Sequence, residues 1–306
     1  MSLAKGGILS VKIMGRPMII INSAKVMNEL DKQGAVYSDR PKLEMGGELL
    51  GYSQTLVLVA YGARFRTFRK HFSRHFGSLL SMERHIPIVE YETRRFLKRT
   101  LAGPEKLMIN LRKFTGGIIM QLTYGYEVQD GEDPFVALIE DANDHFSAAT
   151  VPGAFIVDFF PSIKNLPEWL PGMGFMALAR EWAQATAAGT ARPSFVSESL
   201  ENEKGLSASD IEDIKLAASS MYGGGADTTV SAEYAFFLAM VLNPDVQMKA
   251  QAEIDAVIGN DRLPTLADRP DLPYINSIVS EVLRWNSVAP TGMFPTPLSF
   301  ISRAYP

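Results

Sequence analysis

Apolar residues spaced three and four apart run through most of the chain after Ser23, and this spacing is the strongest constraint on its fold. Such spacing gathers apolar side chains on one face of a helix. It predicts helices over 24–33, 62–78, 83–101, 107–124, 132–149, 174–203, 209–242, 244–258 and 271–286. Residues 9–13 instead alternate apolar and polar types, and a Gly-Arg-Pro break precedes the apolar run 18–21, which predicts a short β-hairpin. We therefore expect a mainly α fold with minor β structure.

Charge and cysteine content limit the classes of function. The 306 residues carry a net charge of −4, which argues against a general nucleic-acid binder. The sequence contains no cysteine, so these residues supply no disulfide, zinc thiolate, cysteine nucleophile or iron–sulfur ligand. No run of 18 apolar residues is present and the first ten residues lack the pattern of a secretory signal, so we expect no segment that crosses a membrane.

Two joints interrupt the helical pattern. Residues 151–174 are rich in proline and apolar side chains, which predicts an irregular but apolar connection between helices. At Asn243, Pro244 and Asp245 the chain offers an N-cap residue, a first-turn proline and an early acid, so one helix is expected to end there and another to begin.

Residues 61–76, YGARFRTFRKHFSRHF, combine an apolar stripe with a basic face. At 100° per residue, one narrow face holds the phenylalanines Phe65, Phe68, Phe72 and Phe76. A solvated basic face accounts for Arg66, Lys70 and Arg74. Arg69 falls near the phenylalanine face, and because an unpaired buried charge is costly, we expect a buried anion beside it.

The segment 209–242 contains three glycines inside a helical pattern. Ser209 and Glu212 stand at capping-box spacing, and the later half has a stripe expected to be buried, Val230, Tyr234, Phe237 and Val241. Glycines 223–225 cost a helix roughly 2–3 kcal/mol relative to alanines. Two interpretations stay open. The missing side chains allow a flat ligand close to the backbone, or the glycines separate two helices with Asp227 as a new N-cap.

A third segment, 271–285, has an apolar stripe and an acid–base pair. The stripe comprises Leu272, Ile275, Val279 and Val282. Glu281 and Arg284 stand at i, i+3, and taken alone such a pair is an exposed ion pair worth well under about 1 kcal/mol.

Motifs of other catalytic classes are missing from the sequence. His71 and His75 lack the glutamate of a zinc-binding HExxH helix, so we expect a surface role for them. The sequence has no GxSxG elbow, Walker loop or GxGxxG following a strand, so hydrolase and nucleotide-binding functions have no support.

The order and spacing of these three segments resemble those of the cytochrome P450 haem-thiolate monooxygenases, particularly the microsomal eukaryotic type, over roughly residues 8–293. GGADTT at Gly224–Thr229 resembles the oxygen-activation motif of that family's central helix. Glu281–Arg284 matches its ExxR motif, and 61–70 resembles the helix that flanks a haem propionate.

The resemblance implies haem as the cofactor. Arg69 would pair with a propionate, and Phe65 would stand beside it where the family usually has a tryptophan, whose N–H phenylalanine lacks. Gly224 and Gly225 would let the helix pass close over the porphyrin. The family's axial cysteine has no counterpart among these residues, so no metal ligand is predicted.

Catalytic and structural roles follow from the same resemblance. Asp227 and Thr228 would guide protons to iron-bound dioxygen, while Glu281 and Arg284 would hold the scaffold of the haem-ligand region. The implied partners are O2, an apolar small-molecule substrate and an acidic NADPH-dependent reductase. The resemblance also implies contact with a membrane surface through 151–174 and an endoplasmic-reticulum location, or the cytoplasm for a product without an anchor.

The resemblance stops near Met293, which predicts a partial P450 domain over 1–293 and a divergent tail without periodicity over 294–306. The family's haem loop and last helix would follow Met293, so this chain alone is predicted to be an inactive fragment. Three explanations stay open: a genuine truncated isoform, a misread coding sequence of a full enzyme, or a non-catalytic interaction protein that docks partners through the basic helix 64–75.

Overall fold

Helices dominate the described part of the protein, a computed structural model covering residues 8–13, 16–21, 23–33, 37, 39–131, 133–151, 153–186, 196, 207–288, 292–295 and 299–302. The helices are α1 Ala24–Asp31, α2 Ala63–Phe76, α3 Leu79–Glu83, α4 Ile86–Ala102, α5 Leu107–Tyr124, α6 Pro134–Thr150, α7 Gly174–Thr186, α8 Ala208–Leu242, α9 Pro244–Val257 and α10 Pro273–Trp285. A π-helical turn covers Glu44–Leu49, and short 3-10 turns connect several helices. The expectation of a mainly α fold with minor β structure is confirmed.

The strands form one sheet in the order β1-β2-β4-β3. β1 (Ile8–Ile13) and β2 (Arg16–Ile21) pair antiparallel, which confirms the predicted hairpin. β4 (Ser299–Ser302) pairs parallel to β2 and antiparallel to β3 (Gly292–Pro295). A strand therefore occurs where the sequence predicted an unpatterned tail, because the neighbouring strands supply backbone partners that periodicity alone does not reveal. Residues 303–306 lie outside the described part.

α8 is the long helix on which several of the other helices pack. Its 35 residues extend over roughly 52 Å at 1.5 Å per residue. Its first half packs through Ile214 and Met221 on Phe68 of α2, and its last half packs through Ala239 on Val282 of α10. Between them, one face of α8 packs against α5. The three segments that sequence analysis singled out are thus joined by one helix.

The start and the buried face of α8 differ from expectation. Ser207 and Asp210 form the capping box, since the Ser207 hydroxyl accepts from the Asp210 N–H and the Asp210 carboxylate accepts from the Ser207 N–H. The predicted pair Ser209 and Glu212 is therefore wrong. Val230 is buried as expected, but Tyr234 and Val241 are exposed. Small residues replace them in the core, because α10 approaches α8 closely there.

The two predicted joints are confirmed. α8 ends at Leu242 and α9 begins at Pro244. The connection between α6 and α7 consists of turns, including 3-10 turns at Ile156–Asp158 and Pro161–Asn165. α7 ends at Thr186, and the rest of the predicted helix 174–203 lies outside the described residues except position 196.

None of the helices in the described ranges combines the length and the apolar character required to cross a bilayer.

Candidate functional site

The centre of α8 runs as one helix through its three glycines, so the interpretation of a break with Asp227 as a new N-cap is wrong. Gly225 shows why a glycine is tolerated there. A Cβ at this position would lie 2.8 Å from the Cδ1 atom of Ile119 on α5, a distance that real Cβ atoms do not reach. The close packing of α5 on α8 thus offsets part of the propensity cost of the glycine.

Gly224 and Thr228 lie on an open face of α8. A Cβ at Gly224 would meet nothing within 4 Å, and both residues are exposed. The Thr228 hydroxyl donates to the Gly224 carbonyl at 2.6 Å. The hydroxyl proton is therefore engaged with a backbone carbonyl of the same helix. The lone pairs of Oγ1 stay available to accept a hydrogen bond from a group on the open side. This face can therefore receive a flat ligand and a proton donor.

Asp227 lines a cavity of about 740 Å³ between α5, α6, α8 and the end of α10. Charged side chains from two other helices share its wall, Arg112 of α5 and Asp144 of α6. Burial raises the pKa of the Asp227 carboxyl, Arg112 opposes that rise, and Asp144 adds to it. The Asp227 side chain is nevertheless exposed, so the raised pKa makes its carboxyl somewhat easier to protonate than a free aspartate while water still reaches it.

The α2 helix presents a packed apolar face and a basic outer face. Phe68 is fully buried, and the other three predicted phenylalanines pack around the same cluster, which confirms the stripe. Arg69 is exposed rather than buried, so water can solvate its guanidinium. The sequence argument assumed a buried guanidinium that needs an anion beside it, and that assumption is wrong. Arg64, which lies one turn nearer the start of α2, instead pairs with Asp213 of α8 at 2.6 Å. The remaining basic residues Arg66, Lys70 and Arg74 are exposed, as predicted.

Both histidines of α2 are buried, so the predicted surface role is wrong. His71 and His75 are 7% and 8% exposed. His75 Nδ1 lies 2.9 Å from Nη2 of Arg84, a basic neighbour rather than an acidic one. Across the described ranges no group of three histidine, cysteine, aspartate or glutamate side chains is arranged to hold a metal ion.

The Glu281–Arg284 pair lies on the outer face of α10. The guanidinium donates to both carboxylate oxygens, with Nε 2.7 Å from Oε2. The Arg284 guanidinium lowers the pKa of the Glu281 carboxyl. The side chains are 58% and 53% exposed, so this pair adds little stability in itself. On the apolar side of α10, Val282 and Ile278 are buried, whereas the predicted stripe residue Val279 is exposed.

The structure thus brings the predicted site residues to one helix and its neighbours, without placing them in one pocket. Gly224 and Thr228 face outward, Asp227 faces the cavity, and Gly225 faces α5. Sequence analysis missed Arg112, Asp144 and Trp285, which line the cavity beside Asp227. Each lies on a different helix from Asp227, and no spacing rule within one helix could have linked them.

Comparison with known proteins identifies relatives along nearly the whole chain. The family model described as Cytochrome P450 matches residues 3–295. The chain is 46% identical over 306 residues to Cytochrome P450 monooxygenase 208 of Postia placenta, covering 95% of this chain and 59% of that protein. It is 45% identical over 305 residues to Cytochrome P450 monooxygenase claR of Ampulloclitocybe clavipes, covering 94% of this chain and 56% of that protein. The chain therefore spans less than two thirds of the length of these relatives.

Proposed function

Because the chain belongs to the cytochrome P450 family, we propose that it carries part of a haem-dependent monooxygenase, which inserts one atom of O2 into an apolar organic substrate. The observation that carries the proposal is the continuous α8 helix, whose open face presents Gly224 and Thr228. A helix with a side-chain-free position beside a hydroxyl acceptor fits a flat cofactor that reacts with oxygen and needs protons.

We assign haem to the open face of α8. Gly224 fits this role because no neighbouring atom fills the space that its side chain would occupy. Gly225 contributes indirectly, since it allows α5 to pack against α8. Arg69 would pair with a propionate and Phe65 would lie beside it. The iron's thiolate would have to come from residues outside these 306, because the sequence has no cysteine. Bound haem would supply the iron at which dioxygen is reduced.

The chain's own residues would control protons at this site. Thr228 Oγ1 would accept a hydrogen bond from a water or another donor on the open face, because its own proton is held by the Gly224 carbonyl. Asp227, one residue earlier and about 100° around the helix, would exchange protons with the cavity water. Glu281 and Arg284 would act as scaffold.

Titration of the 306-residue chain with ferric haem, followed by absorbance, tests the assignment. Gly224→Leu fills the open face and is expected to weaken haem binding at least tenfold. Arg69→Gln is expected to weaken it about fivefold, in keeping with roughly 1 kcal/mol for an exposed ion pair. Arg66→Gln on the same helix serves as the matched control. Equal haem affinity in all four proteins, or no saturable binding, would contradict this placement of haem.

The reduced, carbon-monoxide-bound spectrum tests the missing ligand. Since the sequence has no cysteine, we expect no Soret band at the thiolate position and no hydroxylation by this chain alone. A thiolate-type band would refute this expectation.

A membrane-surface contact is proposed for the segment between α6 and α7. Five of its apolar side chains are exposed: Val151, Ile156, Phe160, Leu166 and Trp169. Trp169 is 80% exposed, which is unusual for so large an apolar side chain unless it meets an apolar partner. Trp169→Ser is expected to reduce co-sedimentation with phosphatidylcholine vesicles severalfold, whereas Leu101→Ser, equally exposed on α4, leaves it unchanged. The same loss in both variants would argue against a specific contact. We associate this contact with an endoplasmic-reticulum location.

The exposed basic face of α2 supports a second candidate function in partner binding. Arg66, Lys70 and Arg74 point away from the core, and they would suit an acidic NADPH-dependent reductase or, in a non-catalytic protein, another acidic partner. A nucleic-acid partner is not proposed, because the chain's net charge is −4. Charge reversal at Lys70 is expected to abolish salt-sensitive binding of a reductase without changing haem affinity. Unchanged reductase binding would refute this docking face.

A further inference from the structure

Two polar links hold the connection between α6 and α7 against the π-helical turn Glu44–Leu49. The Asp158 carboxylate accepts from the backbone N–H groups of Glu44 and Met45 at 2.7 and 2.9 Å. The Lys164 ammonium group donates to the Glu44 carboxylate at 2.6 Å, and the Glu44 side chain is only 4% exposed. A carboxylate buried to this extent requires such a partner. The links therefore give the connection one defined side toward the protein and one defined side away from it.

The inner side of this connection is packed, and its outer side is apolar. Val157 is fully buried and belongs to the same apolar cluster as Met45 of the turn. Phe160 and Trp169 are exposed on the outside, together with the other apolar side chains of the proposed membrane contact. An exposed indole, with an apolar ring and one polar N–H, suits the boundary between lipid chains and water.

Every charged side chain of the segment 151–174 is compensated within the protein. The sequence places three charged residues there, Asp158, Lys164 and Glu168. The first two are engaged with the π-helical turn, and Arg180 of α7 donates to the Glu168 carboxylate at 2.7 Å. Arg180 lowers the pKa of Glu168 and Glu44 raises the pKa of Lys164, so both pairs stay charged at neutral pH. The one lysine of the segment is therefore already neutralised by an internal carboxylate.

We propose that the segment 151–174 binds a zwitterionic phospholipid surface through its apolar side chains alone, so that anionic headgroups add no affinity. The inference rests on the proposed membrane contact and adds the class of lipid. Affinity for a bilayer has one part that grows with the apolar area buried and a second part from basic side chains near anionic lipid. The internal ion pairs remove the second part and leave the first.

Co-sedimentation of the 306-residue chain with two kinds of vesicle tests the proposal: phosphatidylcholine alone, and phosphatidylcholine containing phosphatidylserine. We expect partition coefficients within about twofold of each other at low salt and no loss of binding at high salt, which screens exposed charges. Stronger binding to the phosphatidylserine vesicles that disappears at high salt would overturn this inference alone. Binding to neither kind would overturn the membrane contact itself, so the two failures are distinguishable.

Glu168→Gln supplies the electrostatic part that the parent lacks, because it frees Arg180. Both side chains are about half exposed, at 47% and 59%, so the fold does not depend on this pair. We expect binding to the phosphatidylserine vesicles to rise about fivefold, with binding to phosphatidylcholine unchanged. Glu90→Gln is the matched control, since it makes the same change in net charge and frees Arg94 on α4. The control is expected to change neither value.

The two variants separate a local effect from one of net charge. A gain confined to Glu168→Gln would support the proposal, because it would show that the internal pair suppresses attraction to anionic lipid at this surface. No gain in Glu168→Gln, or an equal gain in Glu90→Gln, would overturn it.

Discussion

Glu233 makes the stability of this protein depend on pH near neutrality. It lies in the half-buried contact between α8 and α5, where the Thr115 hydroxyl donates to its carboxylate at 3.2 Å. Burial raises the pKa of Glu233 from 4.5 to about 7, although the Thr115 hydrogen bond acts in the opposite direction. In the folded protein the carboxyl therefore holds its proton through a range in which the unfolded chain has lost it.

The raised pKa fixes the sign and size of the effect. Between pH 4.5 and about 7 the native state binds more protons than the unfolded state, so the free energy of unfolding falls as pH rises through this window. At about 1.4 kcal/mol per pKa unit, a rise from 4.5 to about 7 corresponds to a loss of about 3 kcal/mol that is complete above pH 7. Glu233→Gln removes the charge and keeps the shape and an acceptor for Thr115.

Urea denaturation at pH 5, 6, 7 and 8 measures the effect. We expect the advantage of Glu233→Gln over the parent to be smallest, under about 1 kcal/mol, at pH 5 and to grow to about 3 kcal/mol at pH 8. Glu212→Gln, an exposed position on the same helix, is expected to follow the parent at every pH. Parallel curves for the parent and Glu233→Gln would refute the argument, because they would show that ionisation of Glu233 costs the folded state nothing.

Two further substitutions test the packing around the site. Gly225→Val forces the Ile119 side chain to shift and is expected to lower the free energy of unfolding by about 1–3 kcal/mol in urea titration, whereas an unchanged value would show that this side chain moves aside without cost. Arg95→Met removes the cation 3.0 Å from the fully buried Glu92 and is expected to cost about 3 kcal/mol. The exposed neighbour Arg94→Met is the control, expected to cost under about 0.5 kcal/mol. Equal losses in the two variants would contradict a special role of the Arg95–Glu92 ion pair.

Helix positions were predictable from sequence because apolar periodicity is a local property. The hairpin, the joint at Asn243 and most helix bounds are confirmed within a few residues. The continuity of α8 through glycines 223–225 was not predictable, since the local propensity cost is visible in the sequence while the compensating contact with Ile119 is not. The capping box lies two residues earlier than expected and shows the same limit, because two serine–acid pairs with the same spacing, Ser207–Asp210 and Ser209–Glu212, compete there.

Burial was the least predictable property, and size alone was misleading. Tyr234 and Val241 are larger than Ala235 and Ala239, yet the alanines are buried because closely packed helices favour small side chains at their contact. His71 is likewise buried in a segment whose basic neighbours suggested a surface. These outcomes depend on partner helices that are distant in sequence, so no single-helix pattern contains them.

The candidate site depends on the rotation of α8 as much as on its residue types. Successive residues of GGADTT lie 100° apart, so Gly225 meets α5, Gly224 and Thr228 face the open side, and Asp227 faces the cavity. A rotation by one residue in one direction would turn the Asp227 side chain away from the cavity and bring Ala226 toward Ile119. The close approach at Gly225 opposes that rotation, because the Ile119 side chain would have to shift to make room for the Ala226 methyl group. The packing of Gly225 on α5 and the direction of the Asp227 side chain therefore both depend on the same rotation of α8.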